Sequence, residues 1–137
     1  MSEDRATARI DRDKSFKYDE LVRDKSSFLS GSSKTDVYIL AASIGYYDKK
    51  KTPLPSGKQD LFVTTTLGSG ADARKWMLKS LAIATASDIA ILKSMTDMIE
   101  ICDAYANYGI DVLYDIHKNS DDEISDVVDR MIEVLEE

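Results

Sequence analysis

One cysteine, one histidine and two prolines are all that the 137 residues contain of the side chains that cross-link, ligate or break. Cys102 has no second cysteine to pair with, which rules out an internal disulfide and suits a reducing compartment. His117 stands equally alone. A zinc centre of three or four ligands, or a histidine-based triad, would rest on this one residue with a distant Cys102. The two prolines and most of the six glycines gather in the middle, leaving long helices open on either side. No apolar run approaches the roughly 18 residues of a membrane span. The opening MSEDRATARIDRDKS lacks the apolar stretch of a signal peptide, so a cytoplasmic home is expected, with no membrane contact. Positive charge is also short. Eighteen Lys and Arg face 25 Asp and Glu, and the net charge of -7 works against phosphate-driven DNA binding unless a local patch overrides it.

What is present suffices for one core: 43% hydrophobic and 31% charged residues make a single domain at 15–137 behind a flexible tail at 1–14. FKYDELVRD reads as a short helix, and Ser-Gly-Ser-Ser at 30–33 breaks it off. In TDVYILAASIGYY, Val37, Leu40, Ala41, Ile44 and Tyr47 keep helical spacing, although VYIL alone is strand-like. DKKKTPLPSGK is a loop. QDLFVTTTLG favours a short strand with no evident partner. Beyond it Trp76, Met77, Ser80, Leu81 and Ala84 share a helix face, and Ser87-Asp88 interrupts. Ile91, Leu92, Met95, Met98, Ile99 and Cys102 define the next helix, with Gly109 as its left-handed end. Ile110, Val112, Leu113 and Ile116 then start another. A capping box at 120–123 opens an amphipathic helix over 121–136. Its Ile124, Val128, Met131 and Leu135 are candidates for contact between copies. The expected fold is mainly α, an irregular bundle of about five helices with a short β segment around 60–67.

The chemical inventory is thin. His117 is expected to face solvent near a helix end, and Cys102 to pack as a small hydrophobe. Asp97 with Glu100, Asp111 with Asp115, and the run at 121–123 fall on solvated faces or serve as caps, rather than sharing a cleft. Gly68-Ser-Gly70 precedes a helix but lacks the lysine and hydroxyl of a phosphate loop, so it reads as a turn. No catalytic residue, metal or cofactor is expected. One cluster stands out as a surface for DNA or a protein partner: Lys49, Lys50, Lys51, Lys58, Arg74, Lys75 and Lys79, bordered by Tyr46, Tyr47 and Trp76. A solvated loop with its aromatics turned inward would show the same pattern. Whether the two basic stretches meet is open.

DVYILAASIGYYDKKKTPL, LKSLAIATASDIAIL and IEICDAYANYGIDVLYD resemble segments of the fourth Dnd-system-associated family, over about residues 16 to 116. The terminal helix from Ser120 lies outside that likeness. Ala41, Ala42, Gly45, Tyr105, Asn107 and Gly109 match the family's pattern, and structural roles are expected of them. Where the family favours an acid just before Tyr-Ala-Asn, this chain has Ala104, with Asp103 one step earlier. The resemblance implies an accessory or assembly protein of a prokaryotic restriction and anti-phage defence system linked to DNA phosphorothioation. It would act by binding other proteins of that system, not as an enzyme. The alternative is direct DNA binding through the lysine-rich loop.

Overall fold

The computed structural model describes residues 6–67 and 73–119, together with Ser125, 127–129 and Ile132. Strand β1 (Thr7–Asp11) is followed by a 3-10 turn at Arg12–Lys14 and helix α1 (Ser15–Arg23). Helix α2 (Lys34–Asp48), strand β2 (Lys58–Val63) and a 3-10 turn at Thr64–Leu67 come next. Helix α3 (Ala73–Ala86), a 3-10 turn at Ile89–Lys93 and the long helix α4 (Met95–Asn119) follow. Helical backbone recurs at Ser125, 127–129 and Ile132, giving the mainly α, five-helix bundle with a small sheet that the sequence led us to expect.

The sheet has a partner after all. β1 pairs antiparallel with β2, from Thr7 opposite Val63 to Asp11 opposite Lys58, and a shift at Ala8/Arg9 leaves Leu61 as the extra residue of a bulge. The scarcity of apolar side chains over residues 1–14 leads one to expect a loose tail there. Ala6, Ala8 and Ile10 nonetheless alternate inward, and that period of two is enough to seat a five-residue strand on the core. Thr64 extends the pairing: its N–H donates to Ala6 O at 2.8 Å, and its side-chain Oγ1 accepts the Ala6 N–H at 2.9 Å. From Thr64 the chain coils into the 3-10 turn, so the extended segment stops at Val63 rather than 67.

Helix α2 starts at Ser33, whose hydroxyl accepts the Asp36 N–H at 3.1 Å. It buries Val37, Tyr38, Ile39, Ala41, Ala42, Ile44 and Gly45, more than one face, because it lies at the centre of the bundle. Its end is made by Lys49 in the left-handed region (φ 59°), with Lys49 N–H on Tyr46 O and Lys50 N–H on Gly45 O. Among the described elements the most extensive contact is α2 against α4.

That contact corrects the reading of Gly109. The residue does not end a helix; α4 runs through it for 25 residues. A Cβ on Gly109 would stand 2.5 Å from Ala41 C and closer still to its oxygen, and one on Gly45 would stand 2.9 Å from Tyr105 C and Cα. The two glycines let the helix backbones touch at two levels, one turn apart on each helix.

Helix α3 is rotated from the expected face. Lys75, Leu78, Leu81 and Ala82 point inward, whereas Trp76, Met77, Ser80 and Ala84 are exposed. Ser87, in the left-handed region at φ 56°, and Asp88, which caps the following turn, break the chain where expected. The capping box at 120–123 and the turn at 68–70 lie outside the described residues. Among those residues no helix is long and apolar enough to cross a membrane.

Candidate functional site

Helix α4 places Asp103 under β1. The residue is 6% exposed, and its Oδ1 accepts the Tyr38 hydroxyl at 2.7 Å and the Arg9 N–H at 3.2 Å. It borders a cleft of about 520 Å³ whose walls include Arg9, Pro53, Leu54, Lys58 and Glu100. Burial pushes its carboxyl up to about 7, against the opposing pull of the Tyr38 hydroxyl and of the Arg9 N–H and guanidinium. Asp103 is therefore able to hold or release a proton near neutral pH. Tyr18, 1% exposed, has no hydrogen-bond partner for its hydroxyl among the described residues; burial first and the charges of Asp103 and Asp111 second push its ionisation up. Sequence reasoning met Asp103 only as an acid one step from the family's position and gave it no role, because between the apolar Cys102 and Tyr105 nothing local marks its burial.

A second cleft, about 460 Å³, opens where the end of α2 meets α3 and α4, lined by Tyr46, Tyr47, Lys49, Lys51, Thr85 and Tyr105. Tyr46 meets Tyr105 edge to face at 5.9 Å, and the Tyr105 hydroxyl accepts Thr85 Oγ1–H at 3.0 Å. Lys51 Nζ stands 5.7 Å from the Tyr105 ring centre and Lys50 Nζ 5.8 Å from that of Tyr108, both within range of a cation–π attraction. Asn107 fixes the loop behind them. Its Nδ2 donates to Thr52 O at 3.1 Å, and Thr52 N–H donates to Ala104 O.

The seven basic residues do not form one patch. Lys49, Lys50 and Lys51 ring the tyrosines, while Lys58 opens β2 and lines the Asp103 cleft. Arg74 pairs with Asp36 at 3.5 Å near the other end of α2, Lys75 is buried, and Lys79 lies over the Trp76 ring at 4.8 Å. Arg74 and Lys49 are thus separated by most of a 15-residue helix, roughly 20 Å. The family-pattern residues Ala41, Ala42, Gly45, Tyr105, Asn107 and Gly109 are all buried, at the α2–α4 crossing or beside it. Cys102 is fully buried, with its thiol 3.7 Å from Leu78 O and its ionisation pushed up by burial and by Asp103.

His117 does not face solvent. Its side chain is 4% exposed and lies between Glu20 and Asp24 of the α1 end, at 3.3 Å and 3.1 Å. These acids were not singled out, since no local pattern joins residues more than 90 positions apart. Nearby, Asp111 holds Lys14 at 2.8 Å and Lys17 at 2.7 Å, and those two lysines keep its carboxyl low in spite of partial burial. Of the four residues expected at a contact between copies, Val128 is exposed; Ile124, Met131 and Leu135 lie outside the described residues.

The family model for DNA sulphur modification system-associated protein 4 matches residues 8–137, taking in most of β1 and also the stretch from Ser120 that the resemblance left out. No curated protein and no solved structure matches the chain. With nearly the whole chain spanned, it belongs to the family of DNA sulphur modification system-associated protein 4.

Proposed function

We propose that the protein is a non-catalytic accessory component of its DNA sulphur modification system, serving a cytoplasmic restriction and anti-phage defence by binding another protein of that system. The observation that carries this reading is the outer face of α3, where Trp76 and Met77 are 51% and 49% exposed. Leu78, Leu81 and Ala82 anchor the helix to the core from its opposite side. Tryptophan and methionine are enriched at protein interfaces, and a half-exposed tryptophan offers a large rigid contact. The burial pattern of Cys102 and of the carboxylates around it fits a binding role better than nucleophilic catalysis.

The test is gentle copurification of the tagged chain with the other proteins of the system. Trp76→Ser with Met77→Ser should abolish a partner that the parent retains, while the unfolding midpoint stays within the small shifts usual for surface changes. A partner that survives the double substitution, or a parent that retains none, sinks the proposal.

Direct DNA contact is the second reading, supported by the gathering of Lys49, Lys50 and Lys51 around tyrosines. It predicts fluorescence-anisotropy binding to duplexes, with or without phosphorothioate, that weakens steeply with salt. Replacing the three lysines by alanine should flatten the log–log salt slope by roughly 2 to 3. Absent or salt-insensitive binding disposes of it.

A further inference from the structure

The edge where α1 meets the last turns of α4 is built differently from the other ion pairs. Glu20 and Asp24 stand four residues apart, so their carboxylates leave one side of the α1 end. Each carboxylate has one oxygen tethered elsewhere. Asp24 Oδ1 takes the Ser26 N–H at 2.9 Å and the Ser26 hydroxyl at 2.8 Å, and Glu20 Oε1 takes the Tyr114 hydroxyl at 3.4 Å. The other oxygens, Asp24 Oδ2 and Glu20 Oε2, both turn to Nε2 of the buried His117, at 3.1 Å and 3.3 Å. The three atoms lie within 4.8 Å of one another.

The two separations from Nε2 have the size of ligand-to-ligand distances in a coordination shell. Around a tetrahedral zinc with bonds of about 2.0–2.1 Å, neighbouring ligand atoms stand roughly 3.3 Å apart, and octahedral packing brings them to about 3.0 Å. A single Nε2 carries at most one proton and cannot donate it linearly to both carboxylates, whereas its lone pair and theirs can converge on one cation. Donors tethering the outer oxygens are what orient metal-binding carboxylates in known sites. Glu20 Oε2 is itself shut off from solvent. Among the described residues one group competes for it: Lys118 Nζ, 2.6 Å away. Its side chain is 46% exposed and can swing into water, releasing that oxygen.

We propose that Glu20, Asp24 and His117 form a site for a divalent transition metal of the zinc or manganese class, which staples α1 to the end of α4. One imidazole nitrogen and two carboxylate oxygens suit these ions better than the soft ones that prefer thiolates. The site is separate from the faces assigned to partner binding, so it stands whether or not that reading does.

The test is calorimetric titration of the full chain, stripped with chelator, against zinc chloride and against manganese chloride, with thermal melts alongside. Saturable one-to-one binding to either ion is expected, with a Tm that rises as metal is added. His117→Gln and Glu20→Gln should each weaken binding by about tenfold or more. Lys118→Ala removes the competitor and leaves every ligand in place, so it should bind several-fold tighter; it also keeps the idea testable if the histidine variant folds poorly. No saturable binding of either metal, or binding that His117→Gln leaves unchanged, overturns the site.

Discussion

Gly109→Ala is expected to be among the most damaging single substitutions in this chain, at a cost above about 4 kcal/mol or outright failure to fold. In an isolated helix the same change would be favourable by roughly 1 kcal/mol, because alanine loses less backbone entropy. Here the new methyl would stand 2.5 Å from Ala41 C and nearer to its oxygen. Both are backbone atoms of a helix, so no rotamer relieves the overlap, and α2 and α4 must separate. Separation opens voids around Val37, Ala42, Ala106 and Ile110, all at or below 1% exposure, and such cavities in a packed core are costly. Gly45→Ala meets Tyr105 in the same way and should behave alike. Urea denaturation of soluble protein gives the answer. A Gly109→Ala chain with an unchanged midpoint would mean that the helices do not approach this closely. It would also reopen the view of Gly109 as a helix end.

The gap between those two views of Gly109 shows what a sequence carries and what it does not. Glycine is used both where φ must be positive and where a neighbour must come close, and only the neighbour tells them apart. The same holds for α3. Trp76 and Met77 are the most apolar-looking pair of their segment, yet the helix turns on Leu78, Leu81 and Ala82 with Lys75 drawn in beside them, so the periodic stripe was displaced by about one residue. Local signals did locate α1, α2, the loop at 48–58, the strand beginning near 60 and the break at Ser87, because caps, prolines and β-branched runs act within a few residues. β1 was lost because five residues with two apolar side chains resemble a tail until β2 supplies the ladder. The sites fared worst for the same reason. Asp103 needs Tyr38 and Arg9 to define it, His117 needs Glu20 and Asp24, and each pair of partners lies far away along the chain.

Asp103→Asn should make the protein more stable at alkaline pH while changing little under mild acid. A carboxyl raised from 3.8 to about 7 binds its proton more tightly in the folded than in the unfolded chain. Between about pH 4 and pH 7 the native state therefore holds a proton that the unfolded state has given up, and stability falls as pH rises through that window. The full shift corresponds to about 4 kcal/mol by the usual conversion, an upper bound because Asp103 borders a cleft that water can enter. Asparagine keeps an oxygen where Oδ1 accepts Tyr38 and the Arg9 N–H, yet has no proton to lose, so that slope should vanish. Asp24 and Asp111, held below the ordinary carboxylate range, contribute the opposite slope further into acid and are untouched by the change. Urea midpoints at pH 4 and pH 8 separate the two proteins: near equality at pH 4 and a gain of roughly 1–3 kcal/mol for the variant at pH 8 are expected. A difference that does not vary with pH would show that Asp103 titrates like an ordinary surface acid. If the gain is found, this chain carries a carboxylate that weakens its fold at neutral pH, at the edge of a cleft lined by Arg9 and Lys58. Stability given up in that way is characteristic of groups kept for binding or proton transfer, which makes the cleft the place to look for a ligand of the folded protein.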